Sequence, residues 1–430
     1  VESDVLVTLL SLVIALSILV FAHELGHYVA ARRSNVVVEE FGFGYPPRLF
    51  AFWHTNGKIV IDGQELVIPR RFELPEGLGT GSVVTYGTTT DGKGRQILTR
   101  IEEVGPETPV VASIGSVESL DPGTIFSVNA IPFGGFAKML GEEDPGSPGS
   151  LASKGKLARI VVLAAGASMN LLLAVVFFAL AFGFGAPAIA DPENAVVNMV
   201  APGSPAEAAG LQPKDIILRA DDTEILTIQS LQEYTQAHLG EPIVLTVQRG
   251  DQLVESTVVP RLSPPAGEGP IGIGLSPRTM IKQYAWYEAI WAALKQTVAL
   301  MGFTLTVPIQ IIRGLIPPEL ARPVGPVGVG QLVGEAVRYS LDTGWWFPVM
   351  QMMGSLSVAL AITNLLPLPG LDGGRILFVV VEGIRGRRLD PAKEGLVHLI
   401  GMALLVALML FITWQDVVNP LPAVDWTHLF

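Results

Sequence analysis

The sequence predicts a polytopic α-helical membrane protein with four transmembrane helices, a cytoplasmic β insert and an extracytoplasmic α+β module. Three observations carry that reading. Of 430 residues, 49% are hydrophobic and only 16% charged, whereas a soluble domain carries about a quarter charged residues. Four stretches lack Asp, Glu, Lys and Arg for long enough to cross a hydrocarbon core, which needs about 20 helical residues. The basic residues that flank these stretches gather on one side of them.

The spans are Val5–Ala22, Ile160–Ala190, Thr343–Leu371 and Gly395–Gln415. The first reads as a span rather than a signal peptide, because Glu2 and Asp4 stand where a basic leader region belongs. Gln296–Ile312 is a shorter apolar stretch, interrupted by Pro308 and flanked by Lys295 and Arg313, and is expected to lie at the interface or re-enter. Arg32 and Arg33 follow span one, Lys154, Lys156 and Arg159 precede span two, and Arg385, Arg387, Arg388 and Lys393 lie between spans three and four. Basic loops face the cytoplasm. Both termini and the connection between spans two and three are therefore expected outside, which requires an even number of crossings.

Between the spans, residues 54–125 carry short β-prone runs at Lys58–Asp62, Glu65–Ile68, Val83–Thr88, Gln96–Ile101 and Val110–Ile114, punctuated by Gly, Pro and Asp. Residues 191–276 read as a module of strands with one or two helices. Asp144–Ser150 and Ser263–Pro270 read as linkers. The chain divides accordingly into 1–53, 54–125, 126–190, 191–276, 277–342 and 343–430, the fifth segment holding amphipathic or re-entrant helices.

Composition also excludes. A net charge of −12 and a pI near 5.0 argue against a nucleic-acid surface, which needs clustered Lys and Arg. The absence of cysteine removes disulfide scaffolds, thiolate metal sites, a Cys nucleophile and iron–sulfur clusters.

The chemistry begins at His23-Glu24-Leu25-Gly26-His27. On a helix, His at i and i+4 share one face and can bind one Zn²⁺, with the intervening Glu reaching an attacking water as general base. The alternative is a chance match, which sits poorly with two His and a Glu at the end of an apolar helix. A catalytic zinc needs a third protein ligand, and Asp372 in Asn364-Leu365-Leu366-Pro367-Leu368-Pro369-Gly370-Leu371-Asp372-Gly373-Gly374 is the candidate. Broken backbone at membrane depth is tolerated only where protein or a polar cavity satisfies it; a proline kink with an interfacial Asp is the blander reading. Spans one and three both run outside to inside, so four crossings bring Asp372 to the same level as His23 and His27.

At these residues the sequence resembles the site-2 proteases, intramembrane zinc metalloproteases of regulated intramembrane proteolysis, and within them the bacterial branch that cleaves anti-sigma factors and remnant signal peptides. Phe41-Gly42-Phe43-Gly44-Tyr45-Pro46 and Ile131-Pro132-Phe133-Gly134-Gly135-Phe136-Ala137-Lys138-Met139 extend the likeness to a membrane-associated β-loop near the active site. The resemblance implies zinc held by His23, His27 and Asp372, Glu24 as the catalytic base, and substrate backbone met by Asn364, Gly134 and Gly135. For Asn364, a cap on its own broken helix is the other reading. Asn170, in Gly166-Ala167-Ser168-Met169-Asn170, is explained equally well by helix–helix hydrogen bonding. The sequence departs from the family in lacking a proline beside Gly166 and in the insert between the two β-loop motifs. A unit of that size has little core of its own, so the insert is expected to lean on the β-loop.

Val196–Ala206, Ala209–Ile217 and Ile271-Gly272-Ile273-Gly274-Leu275 resemble a circularly permuted bacterial PDZ domain. That implies capture of peptide C-termini by β-augmentation; a purely steric domain is the alternative. The implied partners are single-span membrane protein substrates and the bilayer of a bacterial plasma membrane. An inactive PDZ-bearing membrane adaptor is the competing function, and it would be favoured by loss of His23, Glu24, His27 or Asp372, none of which is lost. A zinc transporter is disfavoured, since no second set of intramembrane ligands is visible. His54, His238 and His428 lack ligand spacing, and His398 reads as a bundle hydrogen bond. Trp345–Phe347 and Trp414 suit an interfacial aromatic belt.

Overall fold

The structure is a computed structural model that describes residues 2–104, 113–141, 149–265, 268–317, 322–422, 424 and 426. In chain order its elements are α1 (Glu2–Arg33), β1 (Val38–His54), β2 (Gly57–Ile61), β3 (Gln64–Ile68), β4 (Val83–Thr90), β5 (Gln96–Glu103), β6 (Ser113–Asp121), β7 (Ile125–Met139) and α2 (Lys156–Gly185). There follow β8 (Ala186–Val200), α3 (Pro205–Ala208), β9 (Ile216–Ala220), β10 (Thr223–Glu224), α4 (Ile228–Ala237), β11 (Ile243–Arg249), β12 (Gln252–Val258) and β13 (Ile273–Lys282). The chain ends with α5 (Trp286–Ile312), α6 (Pro326–Thr343), α7 (Phe347–Leu365), α8 (Asp372–Arg385) and α9 (Pro391–Val418). Two compact units result, one from Val1–Ala181 with Trp286–Ala423, the other from Phe182–Ala285 with Val424–Phe430. The expected linker at Asp144–Ser150 and the run at Val110–Ile114 fall largely outside the described residues, as does His428.

Five helices among the described residues are long and apolar enough to cross a membrane: α1, α2, α5, α7 and α9. The difference from the sequence expectation lies in α5. Lys295 ends the charge-free stretch but not the helix, because its long stem lets the ammonium reach outward, here to lie 5.3 Å from the centre of the Trp291 ring. Pro308 stands inside α5 without ending it. The segment is thus a helix of 27 residues, longer than the re-entrant piece expected.

In the first unit, β1 and β7 form an antiparallel ribbon with Phe43 opposite Gly135. The insert sits between these two strands as a closed barrel in the order β2-β3-β5-β4-β6. Ile59 and Ile61 on β2, and Leu66 and Ile68 on β3, point into it at the two-residue period of a strand. Closure removes both sheet edges, and the barrel thereby buries its own cluster, completed by Val84, Tyr86, Leu98, Ile101 and Val117. The expectation of an insert with little core is corrected on that point. Its neck is held where Thr55 N–H donates to Thr124 O at 3.0 Å and Thr124 N–H to Thr55 Oγ1 at 2.8 Å.

The second unit is a sheet in the order β12-β11-β9-β8-β13 with β10 beside β9. Its core gathers Ala195, Val197, Ile217, Leu231, Leu245 and Val247 among others. Strand β13 is an edge of this sheet.

Candidate metal centre

His23 and His27 stand one turn apart on α1 and face α2. The contact is close because small residues sit on both sides of it. A Cβ on Gly26 would overlap the carbonyl oxygen of Ala165, and a Cβ on Gly166 would overlap Nε2 of His27 and lie 2.6 Å from the ring of His23. Both imidazoles are consequently buried, at 7% and 5% exposure, a costly place for polar rings without partners. The partners are present. Nδ1 of His27 lies 2.8 Å from the Val162 carbonyl oxygen, an acceptor, so Nδ1 carries the proton and Nε2 presents a lone pair.

The third group comes from the far end of the chain. Helix α7 ends at Leu365, the segment Leu366–Leu371 is irregular, and Asp372 opens α8. Oδ2 of Asp372 lies 3.1 Å from Nε2 of His23 and 3.2 Å from Nε2 of His27, while the two Nε2 atoms are 3.1 Å apart. Among the described residues these three form the group able to hold a metal ion. A tetrahedral zinc with nitrogen ligands at about 2.05 Å separates neighbouring ligand atoms by about 3.3 Å, so the observed triangle fits one face of that tetrahedron.

Asn170 supplies a second test of fit. Its Nδ2 lies 3.2 Å from Nδ1 of His23, and its Oδ1 is buried without a hydrogen-bond partner. If His23 offers the Nε2 lone pair to a metal, Nδ1 bears the proton and must meet an acceptor. Turning the amide by half a rotation, a choice its shape leaves open, gives Nδ1–H its acceptor in Oδ1 and satisfies the orphan atom. The donor set of two imidazoles and a carboxylate suits zinc.

A family model described as peptidase family M50 matches residues 11–61 and 110–408. The chain belongs to that family, the site-2 proteases. The unmatched residues between the two parts fall within the barrel insert. The chain is 28% identical over 450 residues to zinc metalloprotease RasP of Geobacillus kaustophilus, covering 96% of this chain and 98% of that one. It is 29% identical over 439 residues to zinc metalloprotease RasP of Oceanobacillus iheyensis, covering 95% and 98%. A third RasP, from Shouchella clausii, is 28% identical over 444 residues, covering 95% and 98%. As an M50 peptidase the protein is a zinc metalloprotease with several membrane-spanning helices, and zinc is its metal.

Glu24 lies between the two histidines in sequence but faces another neighbour. Its Oε2 accepts the backbone N–H of Ala137 on β7 at 3.1 Å. The same strand lies along α1 at Ser17, whose Oγ accepts the N–H of Gly134 at 3.2 Å. Gly134 is thus seated against α1, where a side chain would collide with Val20, and Gly135 against β1, where one would collide with the Gly42 carbonyl oxygen. Asn364 belongs to the last turn of α7 rather than to the irregular segment, and among the described residues no hydrogen bond holds its side chain. That disfavours the capping reading. The sequence marks Gly166 and Asn170 only by the resemblance and assigns them no role at the metal, although their spacing of four residues on one helix repeats that of His23 and His27.

Proposed function

We propose that His23, His27 and Asp372 hold the zinc ion and that Glu24 is the general base of an endopeptidase acting on peptide bonds within transmembrane segments. The observation that carries this is the convergence of three ligand atoms 3.1–3.2 Å apart, two of them on a helix of membrane length that also bears Glu24. Zinc, when bound, supplies a Lewis acid that polarises the scissile carbonyl and acidifies the attacking water. Glu24 takes the proton of that water and returns it to the departing amine, so hydroxyl ends on the carbonyl carbon and hydrogen on the nitrogen. The Ala137 N–H fixes one oxygen of Glu24 and so aims the base.

A transmembrane helix shields its own peptide bonds, so substrate must be unwound before hydrolysis. Asn364, whose amide meets no hydrogen-bond partner among the described residues, and the β1–β7 ribbon at Gly134 and Gly135 are the proposed clamps. Tyr45, Leu49, Phe50, Phe52, Trp53, Ile131 and Phe133 are exposed on that ribbon; so much apolar surface supports its dipping into a bilayer. Four crossings, with basic loops cytoplasmic and both termini outside in a bacterial plasma membrane, fit the charge pattern.

The second unit is read as a permuted PDZ-like domain outside the membrane. Edge strand β13 and helix α4 border a groove of about 260 Å³ lined by Leu231, Gln232, Thr235, Ile271, Ile273 and Leu275, which supports addition of a peptide strand. The substrates are single-span membrane proteins such as anti-sigma factors or remnant signal peptides. An inactive adaptor is not favoured, since all four chemical residues are in place. The test is cleavage of a single-span reporter together with metal analysis. Glu24→Gln should abolish cleavage and keep zinc, whereas Asp372→Ala should lose both. Zinc retained with full activity in Asp372→Ala would remove that residue from the metal shell.

A further inference from the structure

We propose that His398 is a positioning residue for the metal centre, acting through the turn that carries Asp372; this rests on Asp372 being a zinc ligand. His398 stands on α9, is 7% exposed, and touches the Asp372 region from both sides in sequence. Before Asp372, the N–H of Gly370 donates to Nδ1 of His398 at 3.0 Å. After it, the Phe378 ring on α8 meets the imidazole edge-on at 5.2 Å between centroids.

The need for such a tie follows from the local backbone. Asp372 follows an irregular stretch, and the N-cap position of α8 is Leu371, which offers no side-chain hydrogen bond. Gly370 takes φ +95°, a conformation an L side chain rarely adopts, and a Cβ there would press on Met402 of α9. Gly401 of α9 similarly leaves room for Pro369. The turn is therefore moulded onto α9 at Pro369 and Gly370, and the His398 acceptor fixes the peptide two residues before the ligand. A metal tolerates ligand displacements of only about 0.2 Å, so slack in this peptide would be felt at Oδ2.

The ring can be replaced in a way that separates its roles. An Asn side chain puts its Oδ1 where the His has Nδ1, whereas a Gln amide reaches one bond further, to the place of Nε2. Zinc affinity is measured by chelator competition on the purified full-length protein, with the cobalt(II) d–d spectrum as a readout of ligand geometry independent of cleavage. Loss of an outer partner typically weakens metal binding about 10–100-fold. We expect that loss, with an altered cobalt spectrum, in His398→Leu and His398→Gln, and near wild-type affinity and spectrum in His398→Asn. Wild-type affinity in His398→Leu would overturn the proposal. So would equal loss in His398→Asn and His398→Gln, which would assign His398 to ring packing alone; both variants are polar and of similar size, so this comparison survives if the Leu variant fails to fold. Asp372→Ala runs in parallel: wild-type zinc affinity there would sink the ligand assignment itself, a different failure from any result at position 398.

Discussion

Gly166→Ala should damage the metal centre while sparing the helix pair that frames it. The added methyl would overlap Nε2 of His27 and stand 2.6 Å from the His23 ring. Non-bonded atoms pack at about 3.5 Å, so the His23 ring must retreat by roughly 1 Å, several times the tolerance of about 0.2 Å in a metal–ligand distance. The atoms that give way are the ends of rotatable side chains, so α1 and α2 can stay together. Zinc affinity is expected to fall at least about 100-fold, or about 2.7 kcal/mol, with the melting temperature of the metal-stripped protein little changed. Gly26→Ala is the contrasting case, because its methyl meets the backbone oxygen of Ala165. That collision parts the helices and should lower the melting temperature with or without metal. Chelator competition and thermal melting in detergent read both variants. Zinc binding within about threefold of wild type in Gly166→Ala would show that these imidazole positions are not the ones that hold metal.

Asn170→Asp should keep zinc, since a carboxylate can accept the proton on His23 Nδ1, while Asn170→Leu should weaken binding about 10–100-fold; equal affinities in the two would contradict the amide orientation argued above. Glu40 gives a pH dependence. Burial would raise its carboxyl, but hydrogen bonds from Arg48 and Ser127, with the charges of Arg48 and Lys138, outweigh that and hold it below its usual range. Its contribution to the β1–β7 ribbon is therefore complete above the unfolded value of about 4.3 and is lost as pH falls through the lower folded value. Limited proteolysis at falling pH should open the wild-type ribbon over that interval and show a flatter profile in Glu40→Gln. Replacing Asn56–Gly123 by a short Gly/Ser linker should preserve zinc binding, because Thr55 and Thr124 already close the neck; a folded variant that binds no zinc would make the barrel part of the site.

The candidate site was legible wherever spacing encodes geometry. His23 and His27 announce a shared helix face, and the Pro and Gly residues around Asp372 announce a broken helix, so their meeting follows once α1 and α7 run the same way. Groups that act through backbone left no such signature: the Val162 carbonyl and the Ala137 N–H belong to no residue type. Gly166 was hidden for a related reason, since what matters there is an absent side chain beside a partner from another helix. In the fold, β2 through β5 were readable as short alternating or β-branched runs between Gly, Pro and Asp, but ring closure depends on pairings such as Val67 with Ile97, which local pattern does not specify. For α5, the charge on Lys295 ends the apolar stretch in the sequence but marks only where the side chain turns outward.

Contacts inside the first unit bear on the number of crossings. Asp372 follows the end of α7 and meets His23 and His27 in the later part of α1, so α1 and α7 descend in parallel, and the chain between α2 and α7 must begin and end on one side. Helix α6 decides whether that chain crosses in between. Its first turn is held by Asp416, which accepts the N–H groups of Gly325 and Gly328 at 2.9 Å each and pairs with Arg322 at 2.9 Å. Asp416 lies in the last turn of α9, the end opposite the α8–α9 connection. Further along α6, Gly330 and Gly334 lie against Leu12 and Thr8 in the first turns of α1, and only Gly344–Trp346 separate α6 from α7. On the proposed reading of four crossings, both ends of α6 belong to the side where α7 begins, and α5 returns to that side too. The contacts of α6 support that reading. The chain has no cysteine, so single cysteines at the exposed Arg313, Asp342 and Arg387 can be labelled with an impermeant reagent in oriented vesicles without background. Positions 313 and 342 should react from one side and 387 from the other; labelling of 313 together with 387 would make α5 a full crossing and overturn four crossings.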